Sequence, residues 1–418
     1  MTAPETALLA LARAAIHGEP PADPDLSEAD WDALFRLSER HKLQPLIADA
    51  ASGLPSLRSA VAAARDAASP VPDWKKIRTA VYSQVNRQAV QENEFLNLIL
   101  DLREEGLEPL VLKGAICRAL YPQPLLRPSV DDDLLIPADR AADFHRALLA
   151  RGLTCDQKDP DPETAAELSY HRPDSPLYLE LHKALFDPAS PVFASFNSYF
   201  ADTAAHPARV RIQDVELLTA APTDHLLFLL LHAYKHFLYS GFGLRIVSDI
   251  CLFSRGHAAE IDFPAVLAAC TDLRCERFAA AVFRIGEKYL DIAAPEAFGL
   301  PVDEAPLLAD VLSSGNLGEA IDRLHSANIT LQTVAADRLG ARAGGTIRNT
   351  VFLPASALSG RYPYLKKCPW LLPVAWVSRT ATYAMGRLRR KSGAERPAAS
   401  LRIGKNRVDL LRAYHIID

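Results

Sequence analysis

The sequence predicts an α+β fold that is mostly helical, in which a small mixed sheet lies between helical N- and C-terminal regions. Three short apolar runs, at 110–112, 134–136 and 178–181, have the length of buried strands and are too short for helices. Elsewhere apolar residues recur at the helical period, most clearly over 74–105 and 222–238. Because 418 residues exceed one domain of ordinary size, we expect two or three domains.

Four regions follow from these patterns and from changes in composition. The first carries two predicted helices, and Ser27 is the expected N-cap of the second, which continues through Arg40. The predicted regions are a helical N-terminal region (1–95), the sheet-containing core (96–215), a helical region that completes a cleft beside the sheet (216–335), and a basic, helical C-terminal region and tail with Pro and aromatic residues (336–418).

The other predicted elements follow in order along the chain. The long helix over 74–105 is expected to end at Gly106, since glycine is common just past the end of a helix. The pattern over 137–152 predicts a helix after the second strand. The polar, Pro-rich stretch 153–177 predicts a loop with one weak strand, and 258–335 predicts a helical bundle.

The composition is that of an ordinary soluble protein, with 49% hydrophobic and 23% charged residues. No apolar run approaches the roughly 18 residues of a membrane span, and the first residues lack the basic and apolar segments of a secretory signal. The six cysteines form no Cys-x-x-Cys pair, which argues against a zinc ribbon and a disulfide framework. We therefore expect a cytoplasmic protein without a transmembrane segment.

Charge is distributed unevenly along the chain. Residues 338–418 hold 16 Lys and Arg against 3 Asp and Glu, a net of +13, and the remainder holds 30 against 48, a net of −18. One interpretation is that the basic part packs on the acidic part and neutralises it. The alternatives are that 338–412 contacts a polyanionic acceptor, an anionic membrane surface or the triphosphate itself.

A Lys-Gly pair separates the first predicted strand from a helix that starts near 115. A strand that leads through glycine into a helix leaves backbone N–H groups facing outward, where they bind anions such as phosphate. Gly114 would let the ligand approach the backbone closely, and Lys113 would add a mobile positive charge. The alternative is an ordinary turn with no ligand.

Three consecutive aspartates lead into the second predicted strand. Because alternate residues of a strand share a face, Asp131 and Asp133 should point one way and Asp132 the other. Two neighbouring carboxylates suit Mg²⁺, with Mn²⁺ as an alternative, and a metal beside a phosphate-binding turn is typical of nucleotidyl transfer. The alternative for such a triplet is a solvated turn or a helix cap.

These motifs together resemble a known family. The sequence Leu-Lys-Gly-Ala at 112–115, Arg-Pro at 127–128 and Asp-Asp-Asp-Leu-Leu-Ile at 131–136 is similar to the uncharacterised nucleotidyltransferase family of the polymerase-beta-like superfamily. The resemblance runs from about residue 30 to about 385 and implies a nucleotidyltransferase core around the sheet. Two departures from the wider superfamily are the Lys-Gly-Ala turn, where Gly-Gly or Gly-Ser is usual, and the middle Asp132.

The resemblance also implies roles for later residues. Glu180 matches the third carboxylate of the superfamily, as a metal ligand or as the base, although alone it reads as an ordinary edge-strand residue. His182 shares its face. The predicted catalytic and metal residues are Asp131, Asp133 and Glu180. The predicted nucleotide- and phosphate-binding residues are Lys113, Gly114, Arg127, His182, His232, Lys235, His236, Arg245 and Asp249.

Two of these groups have alternative interpretations. His225, His232 and His236 form a stripe on one helix, and zinc would be one interpretation, but Cys and carboxylate partners at ligand spacing are missing. Polar groups that line the nucleotide cleft fit better, with a structural role for His225. Arg245 and Asp249 are spaced for a simple ion pair on one helix face, unless Arg245 holds a phosphate.

The sequence therefore predicts an enzyme that binds Mg²⁺ and an NTP, moves an NMP group to an acceptor and releases pyrophosphate. The acceptor is unidentified and could be a small molecule, a sugar phosphate, a peptide or a protein. The main alternative is a non-catalytic nucleotide-binding or scaffold protein on the same fold. A third hypothesis is a phosphotransferase that moves the γ-phosphoryl group with the same residues.

Overall fold

The computed structural model describes residues 1–64, 74–239, 241–315, most of 330–337 and of 362–378, and 407–417. The chain divides into two compact units. The first consists of Met1–His236 and Gly241–Leu317, and the second of Phe237–Ser240 and Gly318–Asp418. The predicted region boundaries inside the first unit stay predictions.

Four helices form the N-terminal part of the chain: α1 (Ala3–His17), α2 (Glu28–Arg40), α3 (Gln44–Ala51) and α4 (Pro55–Ala64). The Thr2 side chain accepts the N–H of Glu5, and Glu5 accepts the N–H of Thr2, so these two residues satisfy the first turn of α1. Ser27 accepts the N–H of Asp30 at the start of α2, as predicted. At the other end of α2, buried His41 accepts the N–H of Leu244 and ties these helices to the later part of the unit.

A seven-stranded mixed sheet forms the centre of the first unit, so the predicted α+β class is confirmed. In space the strands follow the order β3-β4-β5-β2-β1-β7-β6, where the pairs β2–β5 and β1–β7 are parallel and the others antiparallel. The strands are β1 (Leu110–Leu112), β2 (Asp132–Leu135), β3 (Thr154–Cys155), β4 (Glu167–His171), β5 (Tyr178–His182), β6 (Ala208–Ile212) and β7 (Val215–Thr219).

The hairpin of β6 and β7 is absent from the sequence-based predictions. Its signal is the alternation of Arg209, Val210, Arg211 and Ile212, with polar and apolar residues in turn. The turn needs a positive φ, which Gln213 supplies at 51° in place of the glycine that would have marked it.

Eight further helices lie between 74 and 314, and helical residues also occur in the described parts of 330–337, 372–378 and 407–413. The long helix α5 and the helix after each of the first two strands were predicted with nearly these bounds. The helices are α5 (Trp74–Glu104), α6 (Gly114–Arg118), α7 (Ala141–Ala150), α8 (Pro222–Tyr239), α9 (Leu244–Gly256), α10 (Phe263–Asp272), α11 (Glu276–Leu290) and α12 (Ala305–Ser314). Short 3₁₀ turns lie at Pro124–Leu126, Ala138–Arg140, Ala194–Phe200, Thr203–Ala205, Glu296–Phe298, Pro363–Lys366 and Pro369–Leu371.

The two faces of the sheet differ in chemistry. On β5, Leu179 and Leu181 are buried on one face while Glu180 and His182 share the other, as strand alternation requires. On the apolar face, α7 contacts the sheet through a 2.7 Å hydrogen bond between His145 Nδ1 and Tyr170 Oη. The polar face carries the candidate site.

Most of the basic stretch 338–412, with the predicted polyanion or membrane contact, lies outside the described residues. Within the second unit, buried Leu365 and Ala375 pack with Tyr362, Leu371, Leu372 and Trp376. Across the ranges that the structure describes, no helix combines the length and the apolar character that crossing a membrane requires.

Candidate functional site

A sharp backbone elbow lies between β1 and α6. Lys113 has φ 50° and ψ −119°, a conformation that non-glycine residues rarely adopt and that costs about 1–3 kcal/mol. The elbow turns the chain out of the sheet within one residue, and it aims the Lys113 side chain across the polar face toward β2. A strained backbone conformation persists only where the surrounding contacts fix it.

A buried relay holds the elbow in place. The Lys113 N–H donates to His225 Nε2 at 3.3 Å, and His225 Nδ1 lies 3.1 Å from Thr219 Oγ1, which itself donates to the Val111 carbonyl at 2.7 Å. Because the threonine proton goes to Val111, His225 must donate from Nδ1 and accept at Nε2. Burial lowers the pKa of His225 to about 3, so the ring is neutral, as this pattern requires. His225 is a structural residue.

Asp132 occupies the space into which a Cβ at Gly114 would project, and the predicted phosphate contact of this glycine stays a prediction. A Cβ at Gly114 would collide with the Asp132 Oδ1 atom and would lie 3.1 Å from its Cγ. The antiparallel pairing of β1 with β2 sets Leu112 opposite Asp133, and Asp132 therefore projects beneath the turn. The glycine is needed for close packing of the protein on itself.

Asp132 is fully buried on the side of the sheet opposite to Asp133. Its Oδ2 accepts a hydrogen bond of 3.1 Å from Gln91 on α5, and its Oδ1 has no hydrogen-bond partner among the described residues. Burial raises the pKa of Asp132 to about 6, although the nearby Arg118 guanidinium acts in the opposite direction. Asp132 is therefore a carboxyl group whose ionised form the fold disfavours.

Asp133, Glu180 and His182 form the centre of the site. The parallel register sets Asp133 directly opposite Glu180, and His182 follows on the same face. His182 Nε2 lies 3.1 Å from Asp133 Oδ1 and 3.5 Å from Glu180 Oε2. One ligand atom from each of the three residues lies within 4.8 Å of the others, and among the described residues no other group of three His, Cys, Asp or Glu side chains meets this condition.

Charged neighbours control the protonation of this centre. Burial disfavours the ionised form of Asp133, but the Lys113 ammonium at 2.7 Å and the His182 ring outweigh it and hold the pKa of Asp133 well below its usual range. Burial disfavours the protonated form of His182, but hydrogen bonds to Asp133 and Glu180 raise its pKa to about 9. Both oxygens of Asp133 thus have cationic partners within the protein.

The α8 residues His232 and His236 lie next to Lys113, and the predicted nucleotide contacts of these two histidines and of Lys235 stay predictions. Lys113 Nζ lies 3.4 Å from His232 Nε2, which lies 3.0 Å from His236 Nε2. Burial, reinforced by the nearby lysines, places the pKa of His232 well below its usual range and lowers that of His236 to about 3. Because the Lys113 ammonium can only donate, the lone pair of His232 Nε2 accepts from Lys113. Burial and the Lys113 charge also lower the pKa of Lys235.

Asp131 and Arg245 lie beside this centre. Asp131 precedes the first residue of β2 and is half-buried, and it is outside the group formed by Asp133, Glu180 and His182. Burial acts to lower the pKa of Lys113. The charges of Asp133 and then of Asp131 outweigh burial and raise this pKa. Arg245 donates from Nη1 to the Pro128 carbonyl, so it braces the chain just before the aspartates.

Arg127 and Asp249 bind each other in the structure, and their predicted contacts with a nucleotide stay predictions. Asp249 accepts from Arg127 Nη2 at 2.5 Å, from Arg127 Nε at 3.1 Å and from Tyr121 Oη at 2.8 Å. A buried guanidinium needs a carboxylate, and Asp249 supplies it across 122 residues of sequence. Arg127 also donates to the Gly114 carbonyl at 3.4 Å, so the pair positions the elbow.

Two site residues carried no recognisable signal in the sequence. Glu167 on β4 lies opposite His182, with its Oε2 3.5 Å from His182 Nδ1. Gln91 belongs to the middle of α5 and reaches Asp132 through a contact 41 residues apart. Strand register and helix placement create both contacts, and neither leaves a motif in the chain.

Comparison with known proteins adds one match. A family model described as an uncharacterised nucleotidyltransferase matches residues 27–291, which include all seven strands and helices α2 to α11. None of the curated proteins compared with the chain matches it.

Proposed function

Because the chain belongs to the uncharacterised nucleotidyltransferase family, we propose that it transfers an NMP group from an NTP to an acceptor and releases pyrophosphate. The observation that carries the proposal is the group of Asp133, Glu180 and His182, which faces the Lys113 ammonium across the polar face of the sheet. Carboxylates for a cation and a lysine for phosphate are the two components that nucleotidyl transfer needs.

The donor set fits a divalent cation. Asp133 and Glu180 offer carboxylate oxygens on neighbouring strands, and Asp131 at the start of β2 completes the three proposed metal ligands. All three carboxylates act on the Lys113 ammonium and favour its charged form. When bound, Mg²⁺ or Mn²⁺ offsets negative charge on the phosphates of the NTP and on the attacking oxygen.

The cationic side of the cleft would bind the phosphates. Lys113 can exchange Asp133 for a phosphate oxygen by rotation of its side chain, and His232, Lys235 and His236 extend the polar surface along α8. Arg245 lies at the edge of this surface. Arg127 and Asp249 act indirectly in this proposal, as positioning residues that hold the elbow.

The reaction follows from these roles. An acceptor oxygen attacks the α-phosphorus, the bond from this phosphorus to the bridging oxygen of the β-phosphate breaks, and pyrophosphate leaves with the bonding electrons. The proton of the acceptor hydroxyl passes to Glu180, whose carboxylate is partly exposed on the polar face. The acceptor could be a small molecule, a sugar phosphate, a peptide or a protein.

One specific observation favours a second candidate, a non-catalytic nucleotide-binding or scaffold protein. Both oxygens of Asp133 already have internal cationic partners, Lys113 and His182. A protein that only keeps the fold would need such partners permanently, because an unpaired buried carboxylate is costly.

Calorimetric titration with ATP, GTP, CTP and UTP, each with and without Mg²⁺, tests the proposal first. We expect Mg²⁺-dependent binding of at least one nucleotide, which Asp133→Asn and Glu180→Gln weaken at least tenfold and the exposed control Asp139→Asn leaves unchanged. Glu180→Gln serves as the second variant because Asp133 belongs to a buried ion pair whose loss affects folding.

Labelled ATP then separates the reactions. A label on the α-phosphate that reaches the acceptor, with release of pyrophosphate, supports nucleotidyl transfer, and a label that follows the γ-phosphate identifies a phosphotransferase. Nucleotide binding without transfer to any of the acceptor classes would favour a non-catalytic nucleotide-binding protein. If none of the four nucleotides binds, NMP transfer is contradicted and the scaffold candidate is favoured.

A further inference from the structure

We propose that His182 is itself a ligand of the cation, through Nε2, and that the site consequently takes a divalent transition-metal ion such as Mn²⁺ in preference to Mg²⁺. This inference rests on the proposed function, in which Asp133 and Glu180 bind a cation. It changes the chemical class of the site, because a nitrogen donor joins a set that was expected to contain oxygen alone.

The first argument is the direction in which the ring points. His182 Nε2 approaches Asp133 Oδ1 at 3.1 Å and Glu180 Oε2 at 3.5 Å, so one nitrogen and two carboxylate oxygens converge on the same small volume. Pairing with Asp133 alone would account for one of these contacts, and the approach to Glu180 on the same side gives the convergence of three donor atoms. His182 is also buried, so its position is fixed by packing.

The second argument is the carboxylate behind the ring. Glu167 Oε2 lies 3.5 Å from His182 Nδ1, because the antiparallel register of β4 and β5 pairs these two residues directly. Histidines that bind metals commonly direct their second nitrogen at a carboxylate, which fixes the ring orientation and increases the basicity of the ligating nitrogen. Glu167, His182 and the two facing carboxylates lie in this order, with an ion-pair contact between Glu167 and His182 that lacks hydrogen-bond geometry.

The third argument concerns the choice of ion. Mg²⁺ binds oxygen ligands and water in nearly ideal octahedral geometry, whereas imidazole suits transition-metal ions. An imidazole beside the carboxylates of Asp131, Asp133 and Glu180 therefore favours Mn²⁺ and similar ions over Mg²⁺. In the cation-free protein the Nε2–H group donates to Asp133. Binding replaces this proton, which passes to water, and the Nε2 lone pair then faces the ion.

Electron paramagnetic resonance with Mn²⁺ tests the inference without a substrate. Loss of the six-line signal of free Mn²⁺ gives the affinity, competition with Mg²⁺ gives the preference, and pulsed measurements detect a ¹⁴N nucleus bound to the ion. For the wild-type protein we expect ¹⁴N modulation and at least tenfold tighter binding of Mn²⁺ than of Mg²⁺.

Two variants and a control make the result specific. His182→Gln should lose the ¹⁴N modulation and at least tenfold in Mn²⁺ affinity, with less than threefold change for Mg²⁺. Glu167→Gln should keep the modulation and weaken Mn²⁺ binding about tenfold, within the range for such outer carboxylates. The control His171→Gln removes a more exposed histidine on β4 whose partner is Asp156, and it should behave as the wild type.

The outcomes distinguish the two proposals. Mn²⁺ binding without ¹⁴N modulation, or modulation that survives His182→Gln, would overturn the role of His182, while NMP transfer in the same preparation would leave the proposed function standing. The absence of binding of either ion, together with the absence of transfer, would overturn both. Circular dichroism melts establish that each variant is folded before its spectrum is interpreted.

Discussion

Replacing Gly114 by alanine tests the close packing of the elbow on Asp132. The added Cβ would collide with Asp132 Oδ1, and this carboxyl is fully buried and held by Gln91, so it cannot move away freely. Overpacking of this kind costs about 1–3 kcal/mol. The positive φ of Gly114, 22°, adds about 1–2 kcal/mol for any residue with a Cβ. We therefore expect Gly114→Ala to lower the free energy of unfolding by about 2–5 kcal/mol.

The same backbone cost can be measured separately at Gly106. This glycine has φ 69° and no atom within 4 Å of an added Cβ, so Gly106→Ala should cost only about 1–2 kcal/mol. Urea unfolding of both variants in the presence of EDTA gives the difference, which is the cost of the collision. The double variant Gly114→Ala/Asp132→Ala should recover at least about 1 kcal/mol relative to additivity. Equal losses for the two glycine variants, or strict additivity in the double variant, would refute the reasoning.

The remaining predictions concern two of the buried carboxylates, Asp132 and Asp249. Asp132→Asn should raise the free energy of unfolding by about 3 kcal/mol at pH 8, because burial raises the pKa of the native carboxyl from 3.8 to about 6. The folded wild type binds the proton more tightly, so it loses stability as the pH rises from 3.8 to 6, and the gain of the variant should disappear below pH 3.8 in parallel urea titrations. A gain that grows toward low pH would contradict the assigned shift. Asp249→Ala should cost about 3–5 kcal/mol, since it leaves the Arg127 guanidinium buried and unpaired. Glu287→Ala, which breaks an exposed pair, should cost less than about 1 kcal/mol in the same assay, and similar losses would show that burial of the Arg127 pair is energetically unimportant.

The strands that carry the site were predictable from the sequence because their signals are local. Short apolar runs define β1, β2 and β5, and strand alternation alone places Asp132 and Asp133 on opposite faces. The structure confirms this separation through the Gln91 contact on one face and the His182 contact on the other. The two-residue alternation of a strand can be recognised from neighbouring residues alone, without the positions of distant parts of the chain.

The partners of the charged residues were not predictable in the same way. In the sequence, Arg127 follows a turn that resembles a phosphate-binding turn, so its partner could be a bound phosphate or a carboxylate of the protein. Only the position of α9 in the fold shows that the partner is Asp249. Gly114 is equally ambiguous, since the approach of a ligand and that of Asp132 both require the absence of a Cβ. Glu167 meets His182 because of strand register, which one sequence does not encode in a short motif.

At the elbow, the backbone of Lys113 is fixed, whereas its side chain can rotate. The Lys113 amide is fixed to His225, while its ammonium sits at the end of a flexible side chain with four rotatable bonds. Transfer of the ammonium from Asp133 to an incoming phosphate therefore needs rotation of one side chain and no movement of the backbone. Hydrogen exchange at the Lys113 amide should consequently be the same with and without nucleotide. The site would then sample its bound and free arrangements without the delay of a moving lid.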